Sequence, residues 1–163
     1  PVAVVGSHSF IAIAVGYENT LALKADGSVW AWGYNHYGQL GNNDRTSYSS
    51  PVAVVGSHSF ISIVANIHTS MGLKEDGSVW TWGFNGNGQL GNNDRTSYSS
   101  PVAVVGNHSF IKITCGSYYS AAFKADGSVW TWGDNGYGQL GNNTLTSYSS
   151  PICIIGGYNT VIT

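Results

Sequence analysis

Six tryptophans, five histidines, two cysteines and eight carboxylates are the side chains of this chain with chemistry to offer. The tryptophans fall in three pairs, Trp30/Trp32, Trp80/Trp82 and Trp130/Trp132. Indoles could stack on a ligand or absorb light, but a spacing of two in a strand puts both on one sheet face. Burying one indole removes about 150–250 Å² from water, worth roughly 4–6 kcal/mol at about 25 cal/mol/Å². All six are therefore expected in the structural core. His8, His58 and His108 occupy one recurring loop position on separate repeats. So separated, they cannot converge on a tetrahedral metal site, and a turn hydrogen bond is the expected role. Asp26, Asp76 and Asp126 sit in hairpin turns, while Glu18, Asp44, Glu75, Asp94 and Asp134 are scattered through loops. Asn42-Asn43-Asp44 lacks the alternating ligand spacing of a calcium loop. Ser and His never fall where one sheet could align a nucleophile with its base. Cys115 and Cys153 stand where sister copies have Val15 or Ala65 and Ala53 or Ala103. These are small apolar sites, not a disulfide framework. No catalytic residue, metal site or cofactor is expected, and the chain does not read as an enzyme.

The elements that carry these residues follow from an internal repeat. Pro1, Pro51, Pro101 and Pro151 are spaced evenly; residues 1–11 recur unchanged at 51–61, and 101–111 differ only at Asn107. Within each unit the apolar period is two. Residues 10–15 read as a first strand and 20–24 as a second. Asp26-Gly27 supplies the positive φ of a tight hairpin. Residues 28–32 form the third strand. A loop rich in Gly, Asn and Ser runs from Tyr34 to Ser50, and 51–55 form a fourth strand whose leading proline suits an outer edge. Apolar residues lie on both strand faces, which a lone sheet could not bury. Blades stacked about an axis bury both, so the expected fold is an all-β propeller with three full four-stranded antiparallel repeats. The repeats run at about 6–55, 56–105 and 106–155. Residues 1–5 and 156–163 are assigned to neighbouring blades of a larger ring, which three blades alone do not close.

Residues 26–41, Asp26-Gly-Ser-Val-Trp-Ala-Trp-Gly-Tyr-Asn-His-Tyr-Gly-Gln-Leu-Gly41, recur at 76–91 and 126–141. This motif closely resembles the signature of the regulator of chromosome condensation repeat, and the resemblance covers nearly the whole chain. It implies a ring of about seven blades. The family includes a nucleotide-exchange factor for a small GTPase, an ultraviolet photoreceptor and secreted inhibitors of β-lactamase, so the fold alone does not choose a function. The His that the family commonly places after the first strand is here Asn19, Thr69 or Tyr119. No copy carries the exchange factor's inserted wedge, and the photoreceptor's Gly-Trp-Arg-His-Thr motif is absent. Exchange-factor activity therefore ranks last among the readings.

Charge narrows the partners. Only 9% of residues are charged and the net charge is −2, so no basic face exists to track nucleic acid. No apolar run of membrane-spanning length occurs, and membrane insertion is not expected. Differences among the copies are more informative. Tyr17-Glu18-Asn19 becomes Ile67-His68-Thr69 and then Ser117-Tyr118-Tyr119. Tyr34, His36 and Tyr37 become Phe84 and Asn87 in the second copy, and Asp134 and Tyr137 in the third. In a meander these two loops share one end of the blade, whereas the nearly invariant Asp-Gly hairpin and Gly-Ser-His-Ser link share the other. Tyr, His and Asn suit adaptable recognition. The sequence thus points to a recognition propeller that contacts a protein or glycan through one loop face. Alternatively, the chain is a structural part of a fibre or coat, associating with itself or with further blades. Low charge and abundant Ser, Asn and Tyr suggest an extracellular, cell-surface or virion-surface setting.

Overall fold

The computed structural model describes residues 3–155. Among them are twelve strands and no helix. The first sheet comprises β1 (Ala12–Val15), β2 (Asn19–Leu23), β3 (Val29–Gly33) and β4 (Tyr48–Ala53). The second comprises β5 (Phe60–Ala65), β6 (Thr69–Lys74), β7 (Val79–Gly83) and β8 (Tyr98–Ala103). The third comprises β9 (Phe110–Cys115), β10 (Tyr119–Lys124), β11 (Val129–Gly133) and β12 (Tyr148–Ile155). Each is an antiparallel meander in chain order. First strands pack on the next first strands, β1 on β5 and β5 on β9, and no comparable contact joins the fourth strands. The sheets converge at one side and splay at the other, as blades do about an axis.

The hairpins form as their residues dictate. Gly27 takes φ +82°, and Asp26 Oδ1 accepts from the Ser28 amide at 2.9 Å and its hydroxyl at 2.6 Å. The fourth strand differs from expectation. It begins at Tyr48, not Pro51, because Tyr48 pairs with Gly33 on β3 before the register shifts. Pro51 sits within that irregularity, where the ladder loses least from a missing donor. Of the segment assigned to a preceding blade, only residues 3–5 are described, and they lie outside any strand; residues 156–163 fall outside the described residues.

Blades meet face to face. Leu21, Leu23, Val29, Ala31 and Leu40 of the first pack against Phe60, Ile63 and Trp82 of the second. Met71, Leu73 and Val79 repeat this against Phe110, Ile113 and Trp132. The tryptophans divide into two kinds. Trp82 and Trp132 are fully buried, whereas Trp32 is half-buried because no blade among the described residues precedes the first. Trp30, Trp80 and Trp130 are also half-buried. Their rings carry Lys24, Lys74 and Lys124 ammonium groups 4.5, 4.6 and 4.5 Å from the ring centre, a cation–π arrangement. The recurring histidines correct the sequence expectation. His8, His58 and His108 stack on these same indoles at 4.3, 4.3 and 4.2 Å, and the His58 Nδ1 has no hydrogen-bond partner. The imidazole at that position packs on the indole, and the hydrogen bond of the turn comes from the backbone, the His58 amide donating to the Gly56 carbonyl at 2.8 Å.

Candidate recognition face

The loop after β3 is the most heavily bonded irregular segment of each blade. Asn35 is fully buried and organises it. Its Oδ1 accepts from the Leu40 amide at 2.9 Å, and its Nδ2 donates to Asn42 Oδ1 and to the Thr46 carbonyl. Asn85 and Asn135 make the same Leu90 and Leu140 contacts. Sequence reasoning missed this residue, although its recurrence at one loop position was visible. With the loop held, its backbone reaches the next blade. The Gln39 carbonyl accepts from Trp82 Nε1 at 2.9 Å and from the Ser70 hydroxyl at 2.7 Å. The Gln89 carbonyl receives Trp132 Nε1 and Ser120 in the same way. The Asn43 amide caps the Ser99 carbonyl on the neighbouring edge strand at 2.8 Å. Gly41, at φ +71°, has no room for a side chain, because a Cβ there would lie 2.7 Å from Trp82 Nε1.

This clasp leaves the variable positions together on one face. The Tyr34 amide donates to the Glu18 carbonyl at 2.8 Å, and Phe84 and Asp134 do the same to His68 and Tyr118. The β1–β2 and β3–β4 loops of a blade are therefore one surface. Aromatic rings then run from blade to blade. The Tyr34 hydroxyl and His36 Nδ1 are hydrogen-bonded at 2.7 Å; Tyr37 packs on His68 at 4.7 Å and on Phe84 at 5.0 Å; Phe84 meets Tyr118 at 6.1 Å. Tyr17 and Tyr137 project outward, 77% and 96% exposed. Glu18, His36, Ser117 and Tyr118 are exposed as well. Tyr34, Tyr37, Ile67, His68, Phe84, Asn87, Tyr119 and Asp134 are half-buried, their rings and chains partly spent on one another. Asn19 and Thr69 depart from the expected contact surface: both are buried, and Thr69 donates its hydroxyl to the Phe84 carbonyl. They sit at the first residue of β2 and β6, whose side chains turn into the blade.

The remaining candidate groups are engaged in structure. Hydrogen bonds from Ser28, Ser78 and Ser128 hold the carboxyls of Asp26, Asp76 and Asp126 below the usual range. The Tyr48 hydroxyl does so first for Asp44. Burial pushes the Cys115 thiol up to about 12, which leaves it un-ionised and unreactive at neutral pH. Among the described residues no three His, Cys, Asp or Glu side chains are grouped to hold a metal ion, and no helix is long and apolar enough to cross a membrane.

Comparison with known proteins agrees with this architecture. A sequence model of the regulator of chromosome condensation repeat matches residues 26–71, 76–123 and 126–163, and a second model of that repeat matches 10–39, 60–89 and 110–139. The ultraviolet-B receptor UVR8 of Arabidopsis thaliana is 41% identical over 46 residues, which is 28% of this chain and 10% of the receptor. Human WBSCR16 superposes with a TM-score of 0.82 at 22% identity, over 91% of this chain and 38% of that one. Prp20p of Saccharomyces cerevisiae does so with 0.81 at 22% identity, over 90% and 38%. The chain thus spans well under half the length of these relatives. Blades, Trp pairs and Gly-Gln-Leu-Gly clasps all recur at the matched positions, and the chain belongs to the regulator of chromosome condensation repeat family.

Proposed function

We propose that this chain is a non-catalytic recognition module that binds a protein or glycan through the face built by the β1–β2 and β3–β4 loops. One observation carries the reading: the positions that differ among otherwise near-identical copies are hydrogen-bonded into one surface, with Tyr17, Tyr118 and Tyr137 projecting from it. Rigid aromatic area beside exposed His and Ser groups favours adaptable contact. Prp20p, similar in fold, is described as binding Gsp1p and histones, which supports a protein ligand. An extracellular or virion-surface setting fits the sparse charge, since Ser, Asn and Tyr must then carry solubility.

A combined protein and glycan array probed with the labelled chain tests this. Selective binding to a small set of spots is expected, and Tyr17→Ala with Tyr118→Ala should abolish it. Retention of every spot by the double variant would place recognition elsewhere.

A further inference from the structure

Two rings on the recognition face are held there against the interest of the blades beneath them. Gln39 and Gln89 are buried, and each uses its Oε1 to accept a backbone amide of its own loop, from Tyr37 and Asn87, at 3.0 Å. Their Nε2 groups are buried with no hydrogen-bond partner. The equivalent Nε2 of Gln139 donates to Asp134 Oδ2 at 2.7 Å. The counterparts of Asp134 are Tyr34 in the first blade and Phe84 in the second. A ring at this position therefore strands a buried donor that a carboxylate satisfies. Such a donor destabilises the fold, and local rules are broken in this way where the side chain serves a site. Both rings belong to one track: from Tyr34 through His68, Tyr37 and Phe84 to Tyr118, each ring centre lies 4.7–6.1 Å from the next.

The charge along this track has one sign. The Tyr34 amide bonds the Glu18 carbonyl and the Asp134 amide bonds the Tyr118 carbonyl, so one acidic residue stands beside Tyr34 and another beside Tyr118. No Lys or Arg occurs at 17–19, 34–37 or their counterparts. The six basic residues lie off the track. Lys24, Lys74 and Lys124 are held over indoles on the hairpin side, and Lys112 is on β9. Arg45 and Arg95 stand further along the long loop, where Arg45 donates to the Ser97 carbonyl at 3.4 Å. The face of an aromatic ring attracts cations, so the rings and the carboxylates here draw the same kind of group. A neutral glycan would gain nothing from the two carboxylates, and an acidic one would be repelled. We propose that the track recognises a basic peptide segment, its Lys or Arg heads lying over Tyr34 and Tyr118 and reaching Glu18 and Asp134. This rests on the recognition reading above and names its ligand class.

Fluorescence anisotropy of a labelled octa-arginine peptide, titrated with the 163-residue chain, tests this against an octa-glutamate peptide. The basic peptide should bind and the acidic one should not. Tyr118→Leu keeps apolar bulk but removes a ring, and should weaken binding about 3-fold or more. Glu18→Gln should weaken it as well, and because Glu18 is exposed the fold stays intact. Glu75→Gln removes the same charge from the hairpin side, where Glu75 is also exposed, and should leave the affinity unchanged. Equal losses from Glu75→Gln and Glu18→Gln would reduce the attraction to net charge and overturn the proposal. So would full affinity in Tyr118→Leu, or no binding of the basic peptide at all. Array binding confined to glycans or to uncharged or acidic segments, and abolished by Tyr17→Ala with Tyr118→Ala, would overturn it while the recognition reading stood.

Discussion

Two tryptophans on one strand meet different fates because only one lies within reach of the preceding blade's loop. Trp82 and Trp132 each donate to a carbonyl on the blade before, while Trp80 and Trp130 lie half-buried beneath a lysine and a histidine. Trp82→Phe removes a buried donor from the Gln39 carbonyl and should lower unfolding stability by about 1–3 kcal/mol. Trp80→Phe should cost less, as urea midpoints at constant m would show. The stacked histidines set a pH dependence. Burial first, and then the Lys74 or Lys124 ammonium, hold His58 and His108 below the ordinary imidazole value of 6.5. A folded-state value below the unfolded one means that the unfolded chain binds the proton more readily. The stability from these stacks is therefore complete above about pH 6.5 and falls as pH drops toward the folded-state value. The carboxyls, lowered from 3.8, act in a separate, more acidic window. Changing His58 and His108 together to Phe should flatten the profile just below pH 6.5 and leave the acid limb in place.

At the scale of the element, the β3–β4 loop decides how blades join. Gly91→Ala puts a side chain on a residue at φ +69°, and its Cβ would lie 2.7 Å from Trp132 Nε1. Gly141→Ala meets the same backbone strain at φ +72°, but its nearest neighbour is the end of Ile154 at 3.5 Å. Both should lose about 1 kcal/mol or more for the left-handed backbone. Gly91→Ala should lose more, because it also pushes on a packed indole, and thermal melts of the pair measure the difference. Asn85→Ala should cost about 1–3 kcal/mol by stranding the buried Leu90 amide. Much of this element was legible in the sequence. Alternating apolar residues gave the strands, Asp-Gly gave the hairpin, and the Tyr17 and Tyr34 segments were placed at one end of the blade. Other features were hidden for physical reasons. Asn35 binds groups spread along an irregular loop, which follows no period. Pro51 disguised a strand that starts at Tyr48, since the proline rests in a bulge. Asn19 and Thr69 vary like surface residues, yet the strand's alternation turns them inward. The His8 stack depends on a ring brought near only by the finished sheet.

At the scale of the whole molecule, the two loop sides differ in how much they vary from blade to blade. The hairpin side repeats nearly the same residues on every blade, Glu75 and Asn107 apart, and the repeated side chains are engaged in packing: Lys on Trp, His on Trp, Ser on Asp. The loop side keeps an invariant frame of Asn, Gln and Gly and varies only what stands upon it. A chain that needed merely to tolerate drift would let both sides vary, because both consist of exposed connections. The account therefore rests on recognition being confined to the loop side. Titrating the isotope-labelled chain with its strongest array ligand, and following backbone amide shifts by NMR, tests that most directly. Shifts should cluster at Tyr17, Glu18, His36, Tyr118 and Tyr137 and leave residues 24–28 and 56–59 unmoved. Shifts centred on the Asp26 and Asp76 hairpins, with the tyrosines silent, would contradict it.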